Sequence, residues 1–205
     1  MKNIGILCLF LAVRPVSCFA DFLVEPAIGY MFAGHQQDWY TDSKSGTQYG
    51  SLNEASIGLK AGYTVFGILV GAEVEKGIGS IEVTSGNGTS GTEYDTDSMA
   101  MGGVLGFYPS GLSFNIKVSY LLLSELEYTN ADGAFIHNGN TIKVSFGFNV
   151  LSTIYMNLEY IQQVYDTATA PSGSEQTSPY SHLGVNYRDL EMTGVLLTLS
   201  MPISF

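Results

Sequence analysis

Beyond residue 18 the chain contains no cysteine. Cys8 and Cys18 are the only two, so the remainder forms no disulfide and offers no thiolate to a metal. Charge is scarce as well. Only 13% of residues are Asp, Glu, Lys or Arg, whereas the surface of a soluble domain usually carries roughly 25–35%. Basic residues are fewest of all, 8 against 19 acidic ones. That balance argues against nucleic acid as a partner, which needs a basic face. After the N-terminus there is no run of about 18 apolar residues, which excludes a helical membrane span. Yet 45% of the chain is hydrophobic, 12% is aromatic and 24 residues are glycine. Low charge, short apolar runs and abundant Gly and Tyr fit a β-barrel whose outside meets lipid.

The first twenty residues have the pattern of a secretory signal. Lys2 supplies a positive start, Ile4 to Val13 an apolar stretch, and Cys18-Phe19-Ala20 a small-x-small cleavage site before Asp21. Cys18 suggests a lipoprotein, but Pro15 stands where such a motif usually has Leu. Cleavage after Ala20 would remove Lys2 and Arg14 and no acidic residue, taking the formal charge from −11 to −13. Residues 21–205 are then expected to form one barrel domain, with no second domain following.

Period-two alternation, the mark of a strand with two unlike faces, recurs eight times. The expected strands are Phe22–Ala33, Asn53–Phe66, Ile68 to about Thr84, Ser98–Tyr108, Leu112 to about Glu127, Thr141–Val150, Thr153–Tyr165 and a last one closing at Phe205. That last strand shows the pattern most plainly. Val195, Leu197, Leu199, Met201, Ile203 and Phe205 share one face, and Leu196, Thr198, Ser200, Pro202 and Ser204 the other. The connections alternate long and short. Gly67, Pro109-Ser110-Gly111 and Leu151-Ser152 mark short turns. Gly34–Leu52, Ser85–Asp97, Tyr128–Asn140 and Asp166–Tyr187 are expected as long loops. All short turns therefore fall at one end. A soluble up-and-down barrel such as a lipocalin has no need of this asymmetry, whereas an outer-membrane barrel has short periplasmic turns and longer external loops.

Size decides which face points inward. Eight strands leave an interior just wide enough for side chains. Phe, Tyr, Ile and Leu from every strand would overfill it, while the opposite face of Gly, Ser, Thr, Ala, Asn, Lys and Glu fits a narrow polar lumen. The bulky face must then meet lipid, since large exposed apolar patches are rare on soluble monomers.

Seven charged residues belong to the inner face: Glu25, Lys60, Glu73, Glu75, Lys117, Lys143 and Glu159. A strand tilted by about 45° climbs roughly 2.4 Å per residue. Counted from the short turns, all seven then stand at a height of roughly 15–20 Å in an apolar band about 25 Å tall. Neighbours match in sign: Glu25 with Lys60, Lys60 with Glu73 or Glu75, and Lys143 with Glu159. Strands four and eight offer only Val104, Leu196 and Thr198 at this level. Such a ring is either an ion-selective constriction or a buried ion-pair network that fills the lumen. Near cancellation of charge and the narrow bore favour the network, because a lone buried charge is costly.

Aromatic residues mark both edges of the band, Phe22, Phe66, Phe107, Phe148 and Phe205 at one and Tyr30, Phe32, Tyr120 and Tyr160 at the other, as membrane interfaces favour. Pro26 and Pro202 lie in the two strands that must pair to close the barrel. Proline lacks the ladder donor, so a local irregularity of that seam is expected.

Signs of catalysis are few. Small outer-membrane barrels that modify lipids use Ser or His with an acid near the rim, but His35, His137 and His182 all fall in expected loops, and no His-x-Ser pair lies on a strand. No cofactor is implied. Glu93, Asp95 and Asp97 could hold Ca2+ by their alternate spacing, or simply form a solvated acidic segment. Acidic loops could also bridge through divalent cations to lipopolysaccharide.

From Asp21 to Phe205 the chain resembles the small eight-stranded outer-membrane barrels: the OmpA transmembrane domain and the OmpX- and OmpW-like proteins. The likeness rests on strand pattern, loop asymmetry and the final aromatic residue, not on a family motif. It implies an all-β, eight-stranded antiparallel up-and-down transmembrane β-barrel in the bacterial outer membrane. Phe205 would be the signal read by the barrel assembly machinery. Lipid and lipopolysaccharide would surround the barrel, and an extracellular ligand would meet its loops. The roles implied are a structural or surface-interaction barrel, a narrow channel for small or hydrophobic solutes or, further off, a lipid-modifying enzyme.

Overall fold

The structure is a computed structural model and describes residues 20–85, 91–109, 112–130, 133–151, 153–171, 175–178, 180–182 and 185–205. The expected signal sequence up to residue 19, Ser110-Gly111 and Ser152 lie outside the described residues. The elements are β1 (Asp21–Tyr40), β2 (Ser45–Val65), β3 (Ile68–Ser85), β4 (Thr92–Phe107), β5 (Phe114–Asn130), β6 (Gly133–Leu151), β7 (Ile154–Thr169), β8 (Gln176–Thr177), β9 (Tyr180–His182), β10 (Val185–Ser200) and β11 (Ile203–Ser204). Each of β1 to β7 pairs with the next, β7 pairs with β10, and β10 pairs with β1. All these pairings are antiparallel. Eight long strands thus close into a ring with no free edge, which satisfies every ladder without water.

Side chains divide by parity. On β1, Leu23, Glu25, Ala27, Met31 and Ala33 are buried, while Phe22, Ile28, Tyr30 and Phe32 are exposed. The outward residues of the other strands form one apolar belt, and Val70, Leu105, Val118, Val144, Leu158 and Leu197 are all exposed. Such a belt is stable only against lipid. Its upper edge runs through Phe32, Ile78, Met99, Leu123, Ile142, Tyr160 and Val195.

Two sequence expectations need correction and a third is refined. First, the long loops are mostly strand. β1 and β2 stay paired up to Tyr40 and Ser45, so Gly34–Leu52 is a tall hairpin closed by residues 41–44. Likewise β4 begins within the expected loop Ser85–Asp97, β5 and β6 span most of Tyr128–Asn140, and the short strands β8 and β9 occupy part of Asp166–Tyr187. Above the lipid belt both faces become polar or aromatic, so the apolar period that reveals a strand is lost while the pairing continues. His35 and His137 therefore sit on strands, as does His182, whose side chain lies outside the described residues.

Second, β5 does not keep one parity. Its pairing with β6 shifts between Leu121 and Ser124. Leu122 and Leu123 both face outward, while Leu121, Ser124 and Leu126 face inward. This is a bulge, in which one extra residue is absorbed and the later side chains are re-aimed. Third, the closing seam is irregular locally: the strand lapses at Met201-Pro202, between β10 and β11, and the register shifts between Gln37 and Trp39, while the pairing beside the prolines stays in step. Ala27 pairs with Ser200 and Val24 with Ile203, so Pro26 falls opposite Met201. The Met201 amide donates to the Pro26 carbonyl at 3.1 Å, and Phe22 and Phe205 exchange backbone hydrogen bonds at 3.3 and 2.9 Å. Both prolines stand where the ladder tolerates a missing donor.

The β2–β3 turn contains Phe66 and Gly67, both with positive φ, 53° and 77°. Two such residues define the hairpin turn whose twist matches that of its strands. Phe66 thus caps the hairpin rather than ending β2, and its ring is exposed at the rim.

Candidate functional site

The lumen is layered. At the short-turn end Leu23, Leu69 and Val104 pack together with Tyr108 against them. Further up, Met31, Leu52, Ile81, Leu126, Ile161, Tyr165, Met192 and Leu196 form a larger apolar cluster. The charged residues lie between these two layers.

Lys117 from β5 reaches across the bore to β1. Its Nζ donates to Glu25 Oε1 at 2.7 Å and to Asn157 Oδ1 at 3.0 Å. Glu25 also accepts from Ser200 Oγ at 2.5 Å and from the Tyr108 hydroxyl. A second group centres on Lys143, whose Nζ donates to Glu73 and to Glu75 and lies 3.7 Å from Glu159 Oε2. Lys60 Nζ is 3.2 Å from Glu73 Oε1 and 3.9 Å from Glu159 Oε1. Ser119 donates to Glu73, and Thr198 donates to Glu159 at 3.0 Å. The amide of Asn157 donates to Thr198 and Ser200 at 3.0 and 2.9 Å. All seven charged residues expected in the lumen thus lie in contact with an oppositely charged partner. The partners differ in part. Glu25 and Lys60 stand side by side in the β1–β2 register, yet Glu25 is held by Lys117. Glu75 meets Lys143 rather than Lys60.

Several members escaped the sequence reading. Asn157, Ser119, Ser200 and Tyr108 share the inward parity, but a neutral polar residue on a polar face carries no distinguishing mark. Glu54 does carry one. It is an inward carboxylate on β2, 3% exposed, six residues further from the turn than Lys60, and so lies above the ring.

Above the lipid belt the interior turns aromatic. Tyr128 stacks on Phe135 and on His137, with ring centroids 5.4 and 5.5 Å apart. His137 meets Tyr165 edge-on at 6.3 Å. Burial pushes the His137 imidazole down to about 4. Burial also lowers His35, against the opposing effect of its 3.1 Å contact from Nε2 to the Glu82 carbonyl. Outside the barrel, Glu82, Glu93, Asp95, Asp97, Glu125 and Glu127 project from the upper parts of β3, β4 and β5. Lys76 pairs with Asp97 there. Glu93, Asp95 and Asp97 occupy alternate positions along one strand. Among the described residues no group of three or more His, Cys, Asp or Glu side chains converges to hold a metal.

A closed antiparallel ring of eight strands, apolar outside and filled with paired charge inside, is the architecture of a small outer-membrane β-barrel. The structure of OprG agrees on the fold. Similar solved structures include the outer membrane protein OprG from Pseudomonas aeruginosa, 13% identical, covering 90% of this chain and 96% of that one at a TM-score of 0.51. Neisserial surface protein A matches at 8% identity over 85% and 97% of the two chains, with a TM-score of 0.44. Ail of Yersinia pestis, in complex with the heparin analogue sucrose octasulfate, matches at 10% identity over 87% and 99%, with a TM-score of 0.38. No family model and no curated protein matches the sequence.

Proposed function

We propose that this chain is an outer-membrane barrel with a plugged lumen, and that it works through the barrel wall and hairpins that rise above the lipid. The observation carrying this reading is the layered interior. An ion-pair ring lies between two apolar clusters, so charge fixes the bore and the clusters close it at both levels. Buried pairs of this kind specify an arrangement rather than admit traffic. Phe205 is proposed as the residue met by the assembly machinery, and its exposed ring beside Phe22 suits that role. The acidic upper wall suits divalent cations that bridge to lipopolysaccharide phosphates, or a cationic extracellular ligand. On the first reading EDTA loosens the upper hairpins without unfolding the barrel. The proposal assigns no catalytic step: His35 meets a backbone carbonyl, and His137 lies among aromatic rings.

Planar bilayer recording tests the plug. The expected result is no stable conductance. Stable conductance that Lys117→Ala and Glu73→Ala alter in opposite directions would overturn it in favour of a channel. A second reading, a site for a hydrophobic solute, is favoured by one observation. A groove of about 270 Å3 on the outer wall at the β5 bulge is lined by Met99, Met101 and Leu123, with Asn138 and Gly139 at its side.

A further inference from the structure

The lumen charges do not balance. Five inward carboxylates, Glu25, Glu54, Glu73, Glu75 and Glu159, face three inward ammonium groups, Lys60, Lys117 and Lys143. Four of the carboxylates contact a lysine. Glu54 has no ion-pair partner among the described residues. Its side chain is nonetheless buried, and Oε2 has no hydrogen-bond partner among the described residues. Ser98 interacts with the carboxylate. Gly77 makes room for it, since a β-carbon there would collide with Glu54 Oε1.

Glu54 borders a cavity of about 20 Å3 between the Lys143 group and the apolar cluster under Tyr165. That volume suits one water-sized species. Gln163 Oε1, on the same cavity and 8% exposed as a residue, also lacks a hydrogen-bond partner among the described residues. Thr141, Ser98 and Glu75 add oxygens to its wall, and Glu125 borders it from the exposed face of β5. The species that fits must therefore serve two buried oxygen acceptors and offset one unpaired negative charge. Both unpartnered atoms are hard oxygens, which favours alkali and alkaline-earth ions over transition metals. Lys143 borders the same cavity and already holds Glu75. Glu125 is exposed to solvent, so Glu54 is the one buried carboxylate on this cavity without an ion-pair partner among the described residues, which matches a monovalent ion better than a divalent one.

We propose that this chamber is a binding site for one small monovalent cation of the sodium class, with Glu54 and Gln163 as its principal ligands. The ion offsets the charge of Glu54 and ties β2 to β7 above the ion-pair ring. The site goes beyond the surface role proposed above and does not depend on it, because a bound ion requires no passage through the barrel.

The test uses the whole chain folded in detergent micelles. Its unfolding midpoint is followed by heat-modifiable gel shift in NaCl and in choline chloride at equal ionic strength. Binding to the folded state alone raises stability with ion concentration. The expected result is a midpoint that climbs with each tenfold rise in Na+ and stays flat in choline. The 23Na resonance broadens on adding the protein. Glu54→Gln and, separately, Gln163→Leu abolish both responses. An equal climb in choline overturns the proposal without any variant. A sodium response unchanged in Gln163→Leu also overturns it. So does a wild-type response to pH in place of sodium, which would make Glu54 a buried carboxylic acid bonded to Gln163.

Discussion

Glu25 and Lys60 are cross-strand neighbours in register, yet Glu25 bonds to Lys117, which reaches it from β5 at 2.7 Å. The ladder sets which residues stand beside each other, whereas the bore sets which charged groups can meet. Lys117→Met should therefore leave Glu25 buried and unpaired, at a cost of about 3–5 kcal/mol. Adding Glu25→Gln should recover most of that loss. Urea unfolding of the four proteins in a double-mutant cycle gives the coupling directly. Additive losses would mean that the pair is not coupled.

Val118 lies on the outer wall, between Leu105 and Val144 of the neighbouring strands. Val118→Arg should cost about 2–4 kcal/mol in lipid vesicles, as a charge near the bilayer midplane does. Gln36→Arg, also outward but above Phe32, should change stability little. Equal effects at the two positions would place the lipid belt elsewhere.

Gly102 lies against the bulged part of β5. A β-carbon there would run into the Tyr120 carbonyl oxygen and the Leu121 backbone. Gly102→Ala should destabilise by roughly 1–3 kcal/mol, the usual cost of overpacking. At Gly58 the same β-carbon would meet only the Val74 carbonyl oxygen at 3.6 Å, an ordinary contact. Gly58→Ala should be neutral or slightly stabilising, because it restricts the unfolded chain. Thermal midpoints of the two variants make the comparison.

His137 and His35 stand above the belt, where water sets the reference. Burial holds His137 near 4 against an ordinary 6.5, and His35 shifts in the same direction. A depressed imidazole means that the unfolded chain binds the proton more tightly. Stability from this source is fully present above about pH 6.5 and is lost as pH falls towards 4. Amide exchange in the upper strands should therefore accelerate between pH 6.5 and 4 after correction for intrinsic rates. His137→Phe should remove part of that pH dependence, and an unchanged profile would rule His137 out as its source.

Much of this architecture was legible in the sequence. Alternation alone placed Phe32 outward and Met31 inward, and the same parity assigned Lys60, Glu73, Lys117 and Lys143 to the bore. What it missed has identifiable causes. The rise of β1 and β2 to Tyr40 and Ser45 was invisible because Gln36, Asp38, His35 and Gln37 are polar on both faces. The bulge at Leu122–Leu123 was hidden because two adjacent leucines fit either parity. Glu54 carries the mark of an inward charge, but six residues above Lys60 it falls outside the level at which the other charges gather.

By itself the sequence determined which face of each strand meets lipid and that the inner charges come in opposite signs, because side-chain direction along a strand is a local property with period two. Only the tertiary structure decided which lysine holds which glutamate, where β5 breaks step, and that Glu54 has no ammonium partner among the described residues. Those outcomes depend on distances across a closed ring, which link residues remote in the chain and leave no trace in its local pattern.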